Sequence, residues 1–210
     1  MTWAPAHAVY DRPAKIEVHD ADDTVTHMGP HLRDIGDSAQ AELLLISPYF
    51  IPGEAGLALL GKLTERGVRV RGRVLTNSLA STDVPLVHFG YARYRAELLR
   101  KGIDLYELRP VEGMTAPHKT RLFARSGGLS LHAKAFIVDR RIAFVGSMNF
   151  DPRSRHLNTE LGIVVDSPAL AAQLAGIFDE AFQPHHTFRL SLDEPLQNGG
   201  TLAWVTEENG

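Results

Sequence analysis

The chain has 210 residues, of which 44% are apolar and 22% are charged, and this balance is typical of one α/β domain or of two small ones. The formal net charge is −3, whereas dedicated nucleic-acid binders are usually basic, because neutralising phosphates supplies much of their affinity. Nucleic acid is therefore the less favoured partner. The sequence has no cysteine, which excludes disulfides, thiol nucleophiles and cysteine metal sites.

The sequence also bears on membrane association. No run of about 18 apolar residues occurs, so no transmembrane helix is predicted. The first 15 residues include Asp11, Arg12 and two prolines, and they lack the basic start and apolar block of a signal peptide. We therefore expect a cytoplasmic protein, or one that reaches a membrane peripherally.

Strand and helix patterns alternate in the first half of the chain. Strands are inferred from short apolar or alternating runs, and helices from apolar residues three or four positions apart. The predicted elements are a strand at 43–46, a helix after Pro52-Gly53 that ends near Gly67, a strand at 68–75, a helix at 84–101 and a strand at 103–108. This order predicts an α/β fold with a mixed, largely parallel β-sheet sandwiched by helices.

The second half begins with a long loop, residues 109–129, rich in glycine, proline and basic side chains. Such loops are often functional, and its Lys119, Arg121 and Arg125 either form an ordinary solvated surface or attract anionic headgroups. The elements predicted beyond it are strands at 129–138, 141–145 and 161–165, a helix from Ser167-Pro168, and edge strands at 188–190 and 202–205. No linker is evident, so we expect one domain over 1–210, with a lead-in at 1–40 and a tail at 184–210.

The residues with the clearest chemistry lie at 132–149. Residues two apart in a strand face the same side, so we expect His132 and Lys134 to project from one face. A neutral imidazole can attack phosphorus, and a lysine stabilises the non-bridging oxygens as a point charge. The neighbouring cation also disfavours the imidazolium, which keeps His132 nucleophilic.

Gly146-Ser147-x-Asn149 ends the next predicted strand. Glycine allows a close backbone approach, and the hydroxyl and amide can donate to phosphate oxygens. Glu160 is the natural partner of His132, because a carboxylate on Nδ1 fixes the tautomer and stabilises the charge that forms on attack. Glu160 as a plain surface ion-pair residue remains the alternative.

Together these residues form His132-x-Lys134-x4-Asp139-x6-Gly146-Ser147-x-Asn149, which resembles the signature of the phospholipase D superfamily without a gap. Segments 47–50, 88–95 and 149–160 also resemble the C-terminal half of a bacterial cardiolipin synthase. Residues 3–15 resemble the segment between the two halves in that group. The similarity covers nearly the whole chain.

The resemblance implies phosphodiester transfer of the phospholipase D type through a phosphohistidine intermediate, as in a cardiolipin synthase-like phosphatidyltransferase. His132 is then the nucleophile or the acid that protonates the leaving alcohol, Glu160 orients it, and Asp139 supports the motif structurally. The residues expected to hold the phosphate are Lys134, Gly146, Ser147 and Asn149. No metal and no cofactor are implied.

Members of this superfamily normally carry two such motifs, but only one occurs here, since His132 alone among the ten histidines has a lysine two positions on. We expect a truncated chain, a gene remnant, or a subunit whose second motif comes from a homodimer partner or a missing N-terminal half. The resemblance implies an anionic phospholipid partner such as phosphatidylglycerol, in a bacterial cell. Two alternatives stay open: a homodimeric phosphodiesterase or nuclease, and an incomplete half-domain that binds anionic lipid or a partner chain.

Overall fold

The computed structural model describes residues 3–18, 20–65, 70–110, 124–125, 128–193 and 201–206. Its strands are β1 (Ala6–Tyr10), β2 (Glu42–Ile46), β3 (Arg71–Asn77), β4 (Asp104–Leu108), β5 (Ala124–Arg125), β6 (Gly128–Leu129), β7 (Ala135–Val138), β8 (Ile142–Gly146), β9 (Leu161–Asp166), β10 (Thr187–Asp193) and β11 (Thr201–Val205). Its helices are α1 (Gly29–Asp37), α2 (Gly53–Glu65), α3 (Pro85–Ala92), α4 (Arg95–Arg100), α5 (Pro152–His156) and α6 (Pro168–Ala181), with a 3-10 helix at Pro13–Glu17.

Within these described residues, nine strands form one sheet in the order β1-β9-β8-β7-β2-β3-β4-β10-β11, and β5 pairs with β6 separately. Parallel pairing joins β2 to β3 and β3 to β4, which need crossover connections, and these contain α2 and then α3 with α4. The other neighbours pair antiparallel. The predicted mixed sheet flanked by helices is confirmed, with its parallel part at β2–β3–β4.

Both faces of the sheet carry a core. Leu43 and Leu45 of β2 belong to the cluster that also contains residues of α2 and α4, whereas Leu44 and Ile46 belong to the cluster packed on α6. The unbroken apolar run at 43–46 is therefore a strand buried on both faces, as predicted. The Ser167 hydroxyl accepts from the Leu170 N–H at the start of α6, so the predicted N-cap is also confirmed.

Two predicted elements differ from the structure. The prediction of a single helix at 84–101 is wrong. Two helices, α3 and α4, are separated by a tight turn in which the Tyr94 N–H donates to the Tyr91 carbonyl. The strand at 129–138 is also wrong in extent, since β7 begins only at Ala135. Just before it, the Asn77 side chain binds both the N–H and the carbonyl of Leu131, in place of a neighbouring strand.

Other predictions fall on the N-terminal lead-in or outside the described residues. Gly67, Val68, Lys119 and Arg121 lie outside the described ranges. Residues 1–40 include α1 and the strand β1, which pairs with β9 at one edge of the sheet. In the part of the chain that the structure describes, none of the helices has the length and apolar character needed to cross a membrane.

We predict that Gly162→Ala destabilises the sheet. A Cβ there would lie 2.2 Å and 2.6 Å from two ring atoms of Phe144, and this ring is stacked on Phe136 with centroids 5.1 Å apart. Overpacking of this kind costs about 1–3 kcal/mol. The matched control is Gly176→Ala in α6, where nothing lies within 4 Å and the substitution should stabilise by about 0.5–1 kcal/mol. Urea unfolding measures both, and equal stability of Gly162→Ala and the wild type contradicts the prediction.

Candidate active site

The motif residues converge at the end of the sheet where the parallel strands β2 and β3 have their C-terminal ends. β7 begins and β8 ends at this same end of the sheet, because Ile46, the last residue of β2, pairs with Ala135, and Ala135 pairs with Val145. The Gly146 N–H donates to the Lys134 carbonyl at 3.0 Å, which joins the two parts of the motif. Ligand sites of open α/β sheets commonly lie at the carboxyl ends of parallel strands.

His132 and Lys134 lie together, although not for the predicted reason. Neither is in a strand, so strand alternation does not place them on one face. Instead, the Lys134 ammonium donates to the His132 carbonyl at 2.9 Å and lies 3.5 Å from Nδ1 of the same residue. The imidazole is exposed and the lysine is half-buried. The expected pairing of an imidazole with an ammonium is therefore present in the structure.

The charge of Lys134 is set by opposing influences. Burial lowers the pKa of its ammonium, while the carboxylates of Glu160, Asp83 and Asp151 raise it. The Tyr49 hydroxyl donates to Asp83 at 2.9 Å. Three acidic groups from separate segments of the chain therefore act electrostatically on this one cation.

Glu160 is 7% exposed, so it is buried and not a surface ion-pair residue. Its carboxylate accepts hydrogen bonds from the Ser147 hydroxyl, from the Ser154 hydroxyl at 2.8 Å and from the Asn158 amide at 3.2 Å. Ser147 in turn accepts from the Leu161 N–H at 3.0 Å. The structure thus joins Glu160 to Ser147 of the motif, and the orientation of His132 by Glu160 stays a prediction.

Asn149 and Gly146 occupy different surroundings. The Oδ1 atom of Asn149 is buried without a hydrogen-bond partner among the described residues, and an orphaned amide atom of this kind suits a residue that binds a ligand. At Gly146, a Cβ would lie 2.6 Å from the Leu161 carbonyl oxygen and 2.6 Å from the Phe144 ring. The close approach that requires this glycine is therefore made by the neighbouring strand β9.

The structure does not bring Asp139 to the other motif residues. It lies in the β7–β8 turn with φ of 50°, and roughly 16 Å of extended chain separates it from Lys134. Its carboxylate accepts from the backbone N–H groups of Gln40, Ala41 and Glu42 at 2.9, 2.8 and 2.8 Å. These contacts fix the turn to the start of β2, so Asp139 has structural contacts, and a direct part in the chemistry is not supported.

Sequence reasoning missed a buried ion pair beneath the site. The Lys15 ammonium donates to the Asp11 carboxylate at 2.6 Å and to the Ser154 carbonyl at 2.8 Å, and its side chain is 1% exposed. Asp11 also accepts from the Met28 N–H at 2.7 Å and from the Glu160 N–H at 2.9 Å. The N-terminal segment therefore holds the chain on both sides of Glu160. Charged side chains are mostly solvated, so these two carried no signal that they would be buried.

A second missed group holds the segment before His132. Asn77, at the end of β3, binds Leu131, and the Nδ1 atom of His88 lies 3.4 Å from the Asn77 carbonyl. Arg95 lies 2.5 Å from Nε2 of His88 and 2.6 Å from the buried carboxylate of Glu107. Arginine can only donate, so Nε2 accepts and Nδ1 carries the proton that reaches Asn77. His88 is therefore held as the neutral imidazole.

We predict that Lys15→Met destabilises the fold strongly, because it leaves the Asp11 carboxylate buried without its cation. Breaking a buried pair from one side costs about 3–5 kcal/mol. The double variant Asp11→Asn/Lys15→Met should recover part of this loss, and the exposed Lys62→Met in α2 serves as the control. Urea unfolding measures all three. Lys15→Met within about 0.5 kcal/mol of the wild type would show that the pair does not hold this region.

We also predict that His88 makes stability fall in acid. Burial and then the charge of Arg95 lower the pKa of His88 below its usual 6.5. The unfolded state therefore binds more protons below about pH 6.5, so stability is complete above that pH and falls as the pH drops towards 5. His88→Gln should flatten this dependence relative to the wild type and to the exposed His31→Gln. Unfolding free energies measured between pH 7.5 and about 5 check this, and an unchanged slope in His88→Gln contradicts it.

Comparisons of sequence agree with this geometry. Residues 32–182 match the family described as cardiolipin synthase, PLD-like domain. Cardiolipin synthase C of Escherichia coli K12 is 40% identical over 205 residues, which are 98% of this chain and 41% of that protein. Cardiolipin synthase A of Yersinia pestis bv. Antiqua (strain Angola) is 29% identical over 143 residues, 68% of this chain and 25% of that protein. The chain thus spans about two fifths or less of these curated relatives.

Solved structures show the same fold. Nuc from Salmonella typhimurium, a phospholipase D family member, aligns with a TM-score of 0.58 and 16% identity, over 96% of this chain and 99% of that one. Phosphatidylserine synthase from Haemophilus influenzae Rd KW20 aligns with a TM-score of 0.62 and 17% identity, over 88% of this chain and 40% of that one. With the family match over most of its length, the chain belongs to the PLD-like domain family of the cardiolipin synthases.

Proposed function

We propose that this chain carries one half of a site for phosphodiester transfer, acting on an anionic phospholipid such as phosphatidylglycerol in a cardiolipin synthase-like reaction. The observation that carries the proposal is the His132 imidazole 3.5 Å from the Lys134 ammonium, at the edge where β8 ends in Gly146-Ser147. The 40% identity to a cardiolipin synthase supports the choice of substrate class. The net charge of −3 counts against nucleic acid, whose dedicated binders are usually basic.

The chemistry follows from these positions. Nε2 of His132 attacks phosphorus in the tautomer that carries its proton on Nδ1, for which Glu160 is the predicted acceptor; the Lys134 ammonium, which can only donate, then binds the phosphate oxygens and not Nδ1. A bond from Nε2 to phosphorus forms, the bond from phosphorus to the leaving oxygen breaks, and that oxygen takes a proton from the histidine of the second motif. An acceptor hydroxyl then loses its proton to that histidine and attacks the phosphohistidine, which releases His132 and the new phosphodiester. Lys134 stabilises the non-bridging oxygens in both steps.

The contacts of Ser147 refine the predicted phosphate-holding set. A hydroxyl has one proton, and that of Ser147 is donated to Glu160. Ser147 therefore serves to position Glu160 and the end of β8 in this state. We propose that Lys134 and the Nδ2 amide of Asn149 donate directly to the phosphate, since the orphaned Oδ1 of Asn149 can only accept.

The second motif would come from a partner domain. An apolar stripe of exposed side chains lies on adjacent strands β1, β9 and β8, where Tyr10 pairs with Leu161 and Val145 pairs with Ile163. These four side chains are between 49% and 60% exposed. Val145 directly precedes Gly146-Ser147 and Leu161 directly follows Glu160, so the stripe runs to the site. A contiguous apolar patch of this kind marks an interface, and we propose that a second PLD-like domain covers it.

We predict that His132→Ala reduces turnover of short-chain phosphatidylglycerol to background, because the attacking or protonating group is removed, while the unfolding temperature stays unchanged. His31→Ala, at an exposed position of α1, is the control. Head-group release and cardiolipin formation are measured by mass spectrometry. Lipid turnover retained in purified His132→Ala contradicts the assignment.

The same proteins incubated with plasmid DNA in EDTA test the nuclease alternative. This alternative stays open, since Nuc, a chain of about one such fold, aligns over 99% of its length. Cleavage by the wild type, lost in His132→Ala, with no lipid turnover, would favour it.

We predict that Ile163→Glu disrupts association and turnover together, because it places a charge in the apolar stripe. Ile177→Glu, at an exposed position of α6, is the matched control. Sedimentation velocity should give a dimer for the wild type and control, and a monomer for Ile163→Glu. A wild-type monomer without turnover would favour the incomplete half-domain, and a dimer unaffected by Ile163→Glu would place the interface elsewhere.

A further inference from the structure

We propose that Glu180, His185 and His186 form a binding site for a divalent transition metal, with zinc as the reference ion. The site lies where α6 leads into β10, several strands away from the motif at β7 and β8. It takes no part in the phosphodiester chemistry and does not depend on the proposed function.

The distances between the possible ligand atoms match a tetrahedral site. Oε1 of Glu180 lies 3.2 Å from Nε2 of His185 and 3.5 Å from Nε2 of His186. One ligand atom from each of the three residues lies within 4.8 Å of the others. Zinc binds imidazole nitrogen at about 2.0–2.1 Å and carboxylate oxygen at about 2.0–2.2 Å, so tetrahedral ligands lie roughly 3.3–3.5 Å apart. Two of the three separations already have about this length.

The two imidazoles are arranged for a shared ion. Their ring centroids are 4.0 Å apart, and both rings direct Nε2 to the same carboxylate oxygen. Two imidazolium groups at this separation would repel each other.

Backbone hydrogen bonds fix the segment that carries the ligands. The His186 N–H donates to the Gln183 carbonyl at 2.9 Å, and the His186 carbonyl accepts from the Arg109 N–H at 2.9 Å. The Thr187 hydroxyl donates to the Phe182 carbonyl at 3.2 Å. Glu180 is in the last turn of a 14-residue helix. The backbone that carries the three ligands is therefore fixed before a metal arrives, and a bound ion would tie α6 to the start of β10.

The donor set selects the class of ion. Two imidazoles and one carboxylate suit Zn²⁺, Ni²⁺ or Cu²⁺, whereas Mg²⁺ and Ca²⁺ prefer sets composed of oxygen. Three protein ligands leave a fourth position for water. Since Glu180 and His185 are exposed, this position is open to solvent.

The test uses the full chain without an affinity tag, treated with EDTA and then freed of it. Titration calorimetry with ZnCl2 should show one saturable site, and the unfolding temperature should rise with zinc but not with MgCl2. His185→Ala and Glu180→Gln should each weaken zinc binding at least about tenfold and abolish the thermal shift, because each removes one of three ligands. The exposed His31→Ala is the control and should bind as the wild type does.

Co²⁺ provides a second measurement, because four-coordinate Co²⁺ gives intense visible absorption bands that the hydrated ion lacks. The wild type should show these bands, and His185→Ala should not. Circular dichroism confirms that each variant is folded without metal. The proposal is overturned by an absence of saturable zinc binding in the wild type, or by variants that bind zinc as tightly as the wild type does.

Discussion

The position of the motif depends on the hydrogen bonds that the buried carboxylate of Glu160 accepts. Burying a carboxylate is costly unless hydrogen-bond donors surround it, so the segments that carry those donors must meet at this point. Ser147 arrives from the end of β8, Ser154 from α5, and Asn158 from the segment before β9. Asp11 binds the Glu160 backbone from the opposite end of the chain. The position of the motif is therefore determined by contacts that are distant in sequence.

The predicted fold agrees with the structure where local pattern and burial coincide. The run at 43–46 is apolar at every position, and β2 is buried on both faces. Ser167 precedes a proline, and it caps α6. The strand prediction fails where a side chain, and not a neighbouring strand, binds the backbone. Asn77 binds the backbone of Leu131, so the segment before Ala135 is not a strand although its apolar pattern is typical of one.

The candidate site likewise has features that the sequence predicts and features that it does not. Spacing alone singles out His132, Lys134, Ser147 and Asn149 as candidates, because these residue types suit the chemistry of phosphate, and their roles stay a prediction. Their contacts could not be predicted. The Ser147 hydroxyl donates to Glu160, and the spacing of the motif contains no information about this contact. The Asp11–Lys15 pair was missed because charged residues are usually solvated.

We propose that this chain alone binds phosphate through its one motif. Titration with orthovanadate, a phosphate analogue, tests this, with the ring-proton NMR signals of His132 as the readout. We expect a saturable shift of these signals in the wild type that is lost in Lys134→Met, with the fold intact. No shift in the wild type, or an equal shift in Lys134→Met, would show that the motif in this chain does not bind phosphate.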